Sequence, residues 1–331
     1  MVAPLWGQNN NAFECGLSER VFGWQKATSY ERSSIMTRNS LWGPPLTLVI
    51  LFFSIGMSAE PPTELALPDG QIVYTDYDDA VLIQLAQGLY QRHRHAEALD
   101  ACQEALSRNL TDDQAATVKH LLARTYDALP AQGQHAKDTY AQVIREHPAY
   151  EKLPEVAYRL GELNICIIPE GTEPNHPAAI ECLQLVIREL PVESGDEPNV
   201  TYLSLKAHMM LGNLVLQKGR NDDARQYFKT IYDCDINKAV PLPYQQFDNE
   251  EEEQEHLVWL RDRIAGMKTR LPAKMVSSCI SSDLGLSMQR LSQLQSDYPD
   301  DTEIYRMISE VLKKLTEIEQ IINQEIANPG P

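Results

Sequence analysis

Basic residues are scarce in this chain. Its 331 residues hold 29 Lys and Arg against 47 Asp and Glu, a formal net charge of −18. Such a surface repels phosphate backbones and argues against nucleic-acid binding. Cysteine is scarce too, with six residues in all. Five follow Ser58 (Cys102, Cys166, Cys182, Cys234 and Cys279), and none shows a metal-ligand spacing such as C-x2-C. Cys166 and Cys182 are the pair placed to bridge one helical hairpin, but the chain is too long to be a disulfide scaffold. No apolar run reaches the roughly 20 residues that span a bilayer. There is no P-loop, G-x-S-x-G, H-E-x-x-H or dinucleotide-binding glycine motif. The expectation is a protein that is not an enzyme, with no catalytic residue, cofactor or metal. A composition 43% hydrophobic and 23% charged excludes a fully disordered chain.

What is present is a recurring helix-pair pattern. The clearest copy is Leu211-Gly212-x2-Val215, then Gly219, then Ala224-x3-Phe228-x2-Ile231. Earlier copies run Leu85-Ala86-x2-Leu89 to Ala98, Cys102 and Ala105; Leu122-Ala123-x2-Tyr126 to Ala136-x3-Tyr140-x2-Val143; and Leu160-Gly161-x2-Asn164 to Ala179-x3-Leu183-x2-Val186. A small residue in each helix lets two backbones approach where they cross. Pro148 and Pro191 stand just past second helices, which proline cannot continue. The pattern resembles the tetratricopeptide repeat (TPR) family, whose unit is about 34 residues long. It departs from the family in having Leu82, Lys119, Ala157 and His208 at the first, usually Trp, position. The third copy also carries a Pro- and Gly-containing insertion at 168–174.

The resemblance implies an all-α, right-handed α-solenoid of antiparallel helix pairs, with repeats at about 78–110, 115–148, 154–191 and 202–236. A linker at 237–249 follows, then a degenerate helical region at 250–326. Within that region, helices are expected at 250–268 and 284–297, joined by a polar connection at 269–282. The run Glu250 to Glu253 reads as a helix N-terminus favoured by the dipole rather than as a cation site. The final helix, about 301–326, spaces Ile304, Ile308, Val311, Leu315, Ile318 and Ile322 at 4-3-4-3-4. It is expected to cap the solenoid and leave a monomer, with a dimer through this seam as the alternative.

The N-terminus reads as an export signal. Arg38 precedes the apolar run 46–57, and small residues Ser58 and Ala59 precede an acidic, Pro-rich stretch. Residues 36–59 are therefore expected to be a signal peptide, with an uncleaved membrane anchor as the alternative. Residues 1–35 read as a non-native or disordered upstream extension, because Met36 stands where a start would; 60–77 reads as a flexible lead-in. The expected location is extracytoplasmic, periplasmic or secreted, or else membrane-anchored facing outside the cytoplasm.

The family's first helices line a concave face that takes extended peptides or partner helices. By register, the matching residues are Ile83, Gln87 and Tyr90; His120, Arg124 and Asp127; Tyr158 and Glu162; and Met209 and Asn213. They lack the Lys/Asn/Arg clamp that holds a terminal carboxylate, so side-chain recognition of a protein or peptide partner is expected. His93-Arg94-His95 sits in a helical turnaround and reads as solvated rather than metal-binding, although an enzyme using these histidines and the 168–174 insertion is the rival reading. Asn109-Leu-Thr111 and Asn199-Val-Thr201 match the glycosylation acceptor pattern.

Overall fold

The computed structural model describes residues 73–166, 174–192 and 199–327, all within one unit, Leu65–Pro331. The upstream extension, the signal segment and most of the lead-in lie outside the described residues. So does nearly all of the 168–174 insertion. What is described is all-α apart from one two-residue strand pair.

Eight helices come first: α1 Asp79–Gln91, α2 His95–Leu106, α3 Asp112–Ala128, α4 Gly133–Glu146, α5 Leu153–Ile165, α6 His176–Glu189, α7 Tyr202–Gln217 and α8 Asn221–Asp233. Their starts follow from local chemistry. Asp78 caps α1 through the Val81 amide at 2.9 Å, and Thr111 and Gln114 form a capping box on α3. Pro154 and Pro177 occupy first turns, where a missing N–H costs nothing. The turnarounds in the first and fourth pairs are the same motif. The Arg94 and Arg220 amides reach back five residues to the Leu89 and Val215 carbonyls, both at 2.9 Å. The left-handed residue this requires is Gly219 (φ 72°) in the fourth pair but His93 (φ 60°) in the first.

Each helix packs on its sequence neighbour, within a pair and from one pair to the next. α1 also meets α3, and α5 meets α7. The crossings are tight. A Cβ added to Gly212 would stand 2.4 Å from Cε1 of Phe228, and one added to Gly161 would stand 3.1 Å from Cγ of Leu183. Ala179 and Ala224 are fully buried, but the side chains filling the space opposite the glycines are Leu183 and Phe228, each four residues further on.

After α8, β2 Ala239–Val240 pairs in parallel with β1 Val200–Thr201. Four more helices follow: α9 Glu250–Lys268, α10 Leu271–Cys279, α11 Leu284–Asp297 and α12 Thr302–Ala327. α10 corrects the expected polar connection at 269–282. Leu271, Pro272, Met275, Val276 and Cys279 are all buried, and α10 packs on α8 and α12. Nine residues are too few to display a helical period, and Pro272 reads as a breaker although it sits in the first turn. One core runs from Val200 and Phe228 through Ile264 and Met275 to Leu291 and Ile308, joining the fourth pair to the C-terminal helices. On α12, Ile304 and Ile308 are fully buried, whereas Ile318, Ile321 and Ile322 are 47%, 55% and 45% exposed. Among the described residues no helix is long and apolar enough to cross a membrane. Cys102, Cys182, Cys234 and Cys279 are free thiols, so no bridge joins Cys182 to Cys166.

Candidate partner-binding face

The first helices α1, α3, α5 and α7 share a connected line of polar and aromatic side chains. Tyr90 of α1 lies under the Arg124 guanidinium of α3, 4.7 Å from its ring centre. Asp127, one turn along α3, accepts two hydrogen bonds from Arg159 of α5, at 2.6 and 3.0 Å. Arg159 also donates to Glu162 at 3.0 Å. Next to Arg159, the Tyr158 ring carries the Lys206 ammonium of α7 at 4.3 Å, and the Tyr202 ring centre lies 5.9 Å from the same ammonium. Tyr202 meets Trp259 of α9 edge-on at 5.9 Å. Cations and anions alternate along this line: Arg124, Asp127, Arg159, Glu162, Lys206.

Burial shapes the protonation of these groups. It opposes the charge on Arg159, yet the bonds this side chain donates to Asp127 and Glu162, and their negative charges, outweigh it and hold the guanidinium above its ordinary pKa. Burial pushes the Lys206 ammonium down and the Tyr158 phenol up. It also raises the Glu155 carboxyl, one turn before Tyr158 on the same face of α5, although Arg124 and Lys152 pull it back.

Five of the residues expected on this face, Tyr90, Arg124, Asp127, Tyr158 and Glu162, meet in this line. Gln87 is exposed on α1 beside it. Ile83 turns into the core of the first pair. His120 is buried, with Nδ1 3.2 Å from the Tyr150 hydroxyl, and burial aided by Arg124 and Lys152 pushes its pKa down to about 3. Met209 packs into the C-terminal core, and Asn213 accepts a 2.7 Å bond from Lys274 of α10. Sequence reasoning missed Arg159, Lys206, Tyr202 and Glu155. The signal was available for two of them: Lys206 and Tyr202 continue the stripe of Met209 and Asn213 toward the start of α7 at helical spacing.

His93 and His95 sit with ring centres 5.6 Å apart in the first turnaround. Among the described residues no group of three or more His, Cys, Asp or Glu side chains is disposed to hold a metal. In comparison with known proteins, the chain matches no family model and no curated protein.

Proposed function

We propose that this chain is an exported, TPR-like right-handed solenoid that acts as a non-enzymatic protein-interaction scaffold. Its partner is an extended peptide or a helix of another protein, bound across α1, α3, α5 and α7. The observation that carries this reading is the line from Tyr90 to Tyr202. It crosses four successive first helices, joins aromatic faces to charges of both signs, and keeps every member but the buried Tyr158 partly exposed. Rigid aromatic and Arg anchors of this kind supply binding energy at low entropic cost. The in-register small residues and the neighbour-to-neighbour packing support the repeat architecture. The apolar run at 46–57 followed by Ser58 and Ala59 supports export through a signal peptide.

A photo-crosslinking amino acid placed at Gln87, exposed on a first helix, tests the partner face. The control is the same group at Gln142, exposed on the second helix α4. Crosslinking to a discrete protein from the native extracytoplasmic fraction at position 87 and not at 142 is the expected result. Equal labelling at both positions, or none at 87, would reject the face.

A further inference from the structure

The segment between β2 and α9, Pro241-Leu-Pro-Tyr-Gln-Gln-Phe247, lies against this face. It carries no charged residue in a chain of net charge −18. Its first end is fixed where Ala239 and Val240 pair with Val200 and Thr201 at the start of α7. Leu242 then packs onto the core built around Tyr158, Leu190 and Leu211. Pro243 and Tyr244 line a surface pocket with Tyr150, Leu153, Pro154 and Leu190, rimmed by Glu151 and Glu189. The Tyr244 hydroxyl is buried beside the Glu155 carboxyl, and the Lys152 ammonium stands 5.9 Å from its ring centre. Phe247 closes the far end against His256 of α9 at 5.2 Å. Arg124, whose guanidinium lies over Tyr90, also acts electrostatically on the Glu155 carboxyl.

The segment is attached as a ligand is attached. Among the described residues, the backbone bond within it is a turn from the Gln245 amide to the Leu242 carbonyl at 2.9 Å. Pro241 and Pro243 have no N–H to give. Side chains in pockets, not a backbone ladder, hold it down, so it can lift without breaking a helix. Pro241 and Pro243 fix two φ angles on either side of Leu242, which lowers the entropic cost of holding the turn.

We propose that residues 241–247 are an internal ligand, filling in cis the site at the start of α5 that a Pro- and aromatic-bearing, uncharged or basic turn segment of a partner fills in trans. This rests on the reading of the first helices as a partner face. It commits further to the chemistry of the partner, because Glu151 and Glu189 at the pocket, with Glu155 beside Tyr244, disfavour acidic segments.

The probe is a nine-residue synthetic peptide with the sequence of residues 239–247, labelled for fluorescence anisotropy. It is titrated into the full chain and into a Leu242→Ser/Tyr244→Ser variant whose strap has lost both anchors. A short tether gives the cis segment an effective concentration in the millimolar range, so against a peptide affinity of about 0.1 mM, opening the strap should strengthen trans binding about 10-fold. Adding Lys152→Ala and Glu155→Gln to the opened variant should remove that gain. Equal affinity for the wild-type chain and the folded variant, or equal binding of a scrambled peptide, would overturn the proposal. So would no binding to the opened variant. Tyr244→Ser alone, which leaves Leu242 in the core, serves if the double variant does not fold. The partner face itself stands or falls on crosslinking at Gln87, which does not involve this peptide.

Discussion

The tightest crossing in the structure makes the sharpest test of the repeat register. Gly212→Ala adds one methyl group. In a free helix it would stabilise by about 1 kcal/mol through propensity. Here the new Cβ would stand 2.4, 2.8 and 2.9 Å from Cε1, Cδ1 and Cζ of Phe228. Carbon atoms rest at about 3.5–4.0 Å, and the ring is fully buried, so it has nowhere to retreat. Overpacking costs about 1–3 kcal/mol and so close a contact belongs in the upper half of that range, about 2–3, so the net change should be destabilising by about 1–2 kcal/mol. Two other glycines serve as controls. At Gly161 the nearest atoms are Cγ and Cδ2 of Leu183 at 3.1 and 3.2 Å, a shift that a Leu tip can make, so Gly161→Ala should be close to neutral. At Gly266, in the last turn of α9, nothing lies within 4 Å, so Gly266→Ala should stabilise slightly, by about 0.5 kcal/mol or less. Thermal unfolding followed by circular dichroism should rank the three in that order, with steps of about 2–4 °C per kcal/mol for a body of this size. Phe228→Leu should lessen the harm of Gly212→Ala in a double-mutant cycle. A Gly212→Ala protein that melts at or above the wild type, or alongside Gly266→Ala, would refute the crossing.

His93 holds a left-handed φ that costs an L residue about 1–2 kcal/mol, so His93→Gly should raise the denaturant midpoint by the equivalent of roughly 0.5–1 kcal/mol. His120 takes its proton near 6.5 when unfolded and near 3 when folded, so the unfolded chain binds the extra proton between those values. Its contribution is therefore full above pH 6.5 and falls by up to about 1.4 kcal/mol per unit as the pH drops toward 3; His120→Gln should flatten urea stability across pH 6 to 4 relative to the wild type. Ile308→Asp should destabilise by about 3 kcal/mol or more, because it buries an unpaired charge, whereas Ile322→Glu should not. Light scattering should find a monomer in both the wild type and Ile322→Glu, and a dimer that Ile322→Glu dissociates would assign the outer half of α12 to self-association. N-terminal sequencing of the mature protein should begin at or near Ala59 or Glu60, and recovery of Met1 would reject export by cleavage.

The helices around Gly161 and Gly212 were legible because a small residue at a crossing leaves a fixed mark: small here, large four residues later. The stretch holding α10 was not, because Leu271, Met275 and Cys279 make too short a pattern to separate from chance. On the candidate face, the register taken from the tetratricopeptide resemblance pointed to Tyr90, Arg124, Asp127, Tyr158 and Glu162. It could not say that Arg159 would reach across to Asp127, since that depends on how far apart α3 and α5 settle. Ile83 and His120 lie on the same helices but turn inward, a difference of part of one helical turn. Met209 and Asn213 meet the C-terminal core and Lys274, partners supplied by chain some 50 residues later, which no local pattern on α7 encodes.

The scarcity of bases and the make-up of this face belong to one argument. With 29 basic residues in the whole chain, the line along the first helices holds Arg124, Arg159 and Lys206, with Lys152 beside it. Each stands near an acid or an aromatic ring, so the face is locally balanced within an acidic body. Long-range field and local contact therefore ask different things of a ligand. On the proposed reading, the net charge of −18 would draw in basic segments, turn acidic ones away before contact and leave neutral ones unsteered, and salt would weaken that selection. At contact the requirement is aromatic faces and hydrogen-bonding groups that match Arg124, Arg159 and Lys206 without stranding a buried charge. An uncharged segment such as Pro241 to Phe247 strands no charge where the chain's own strap rests, beside Tyr150, Lys152 and Glu155. A partner that replaces it must keep that neutrality at the centre while carrying any positive charge at its ends. Its association rate should then fall with salt far more than its dissociation rate rises.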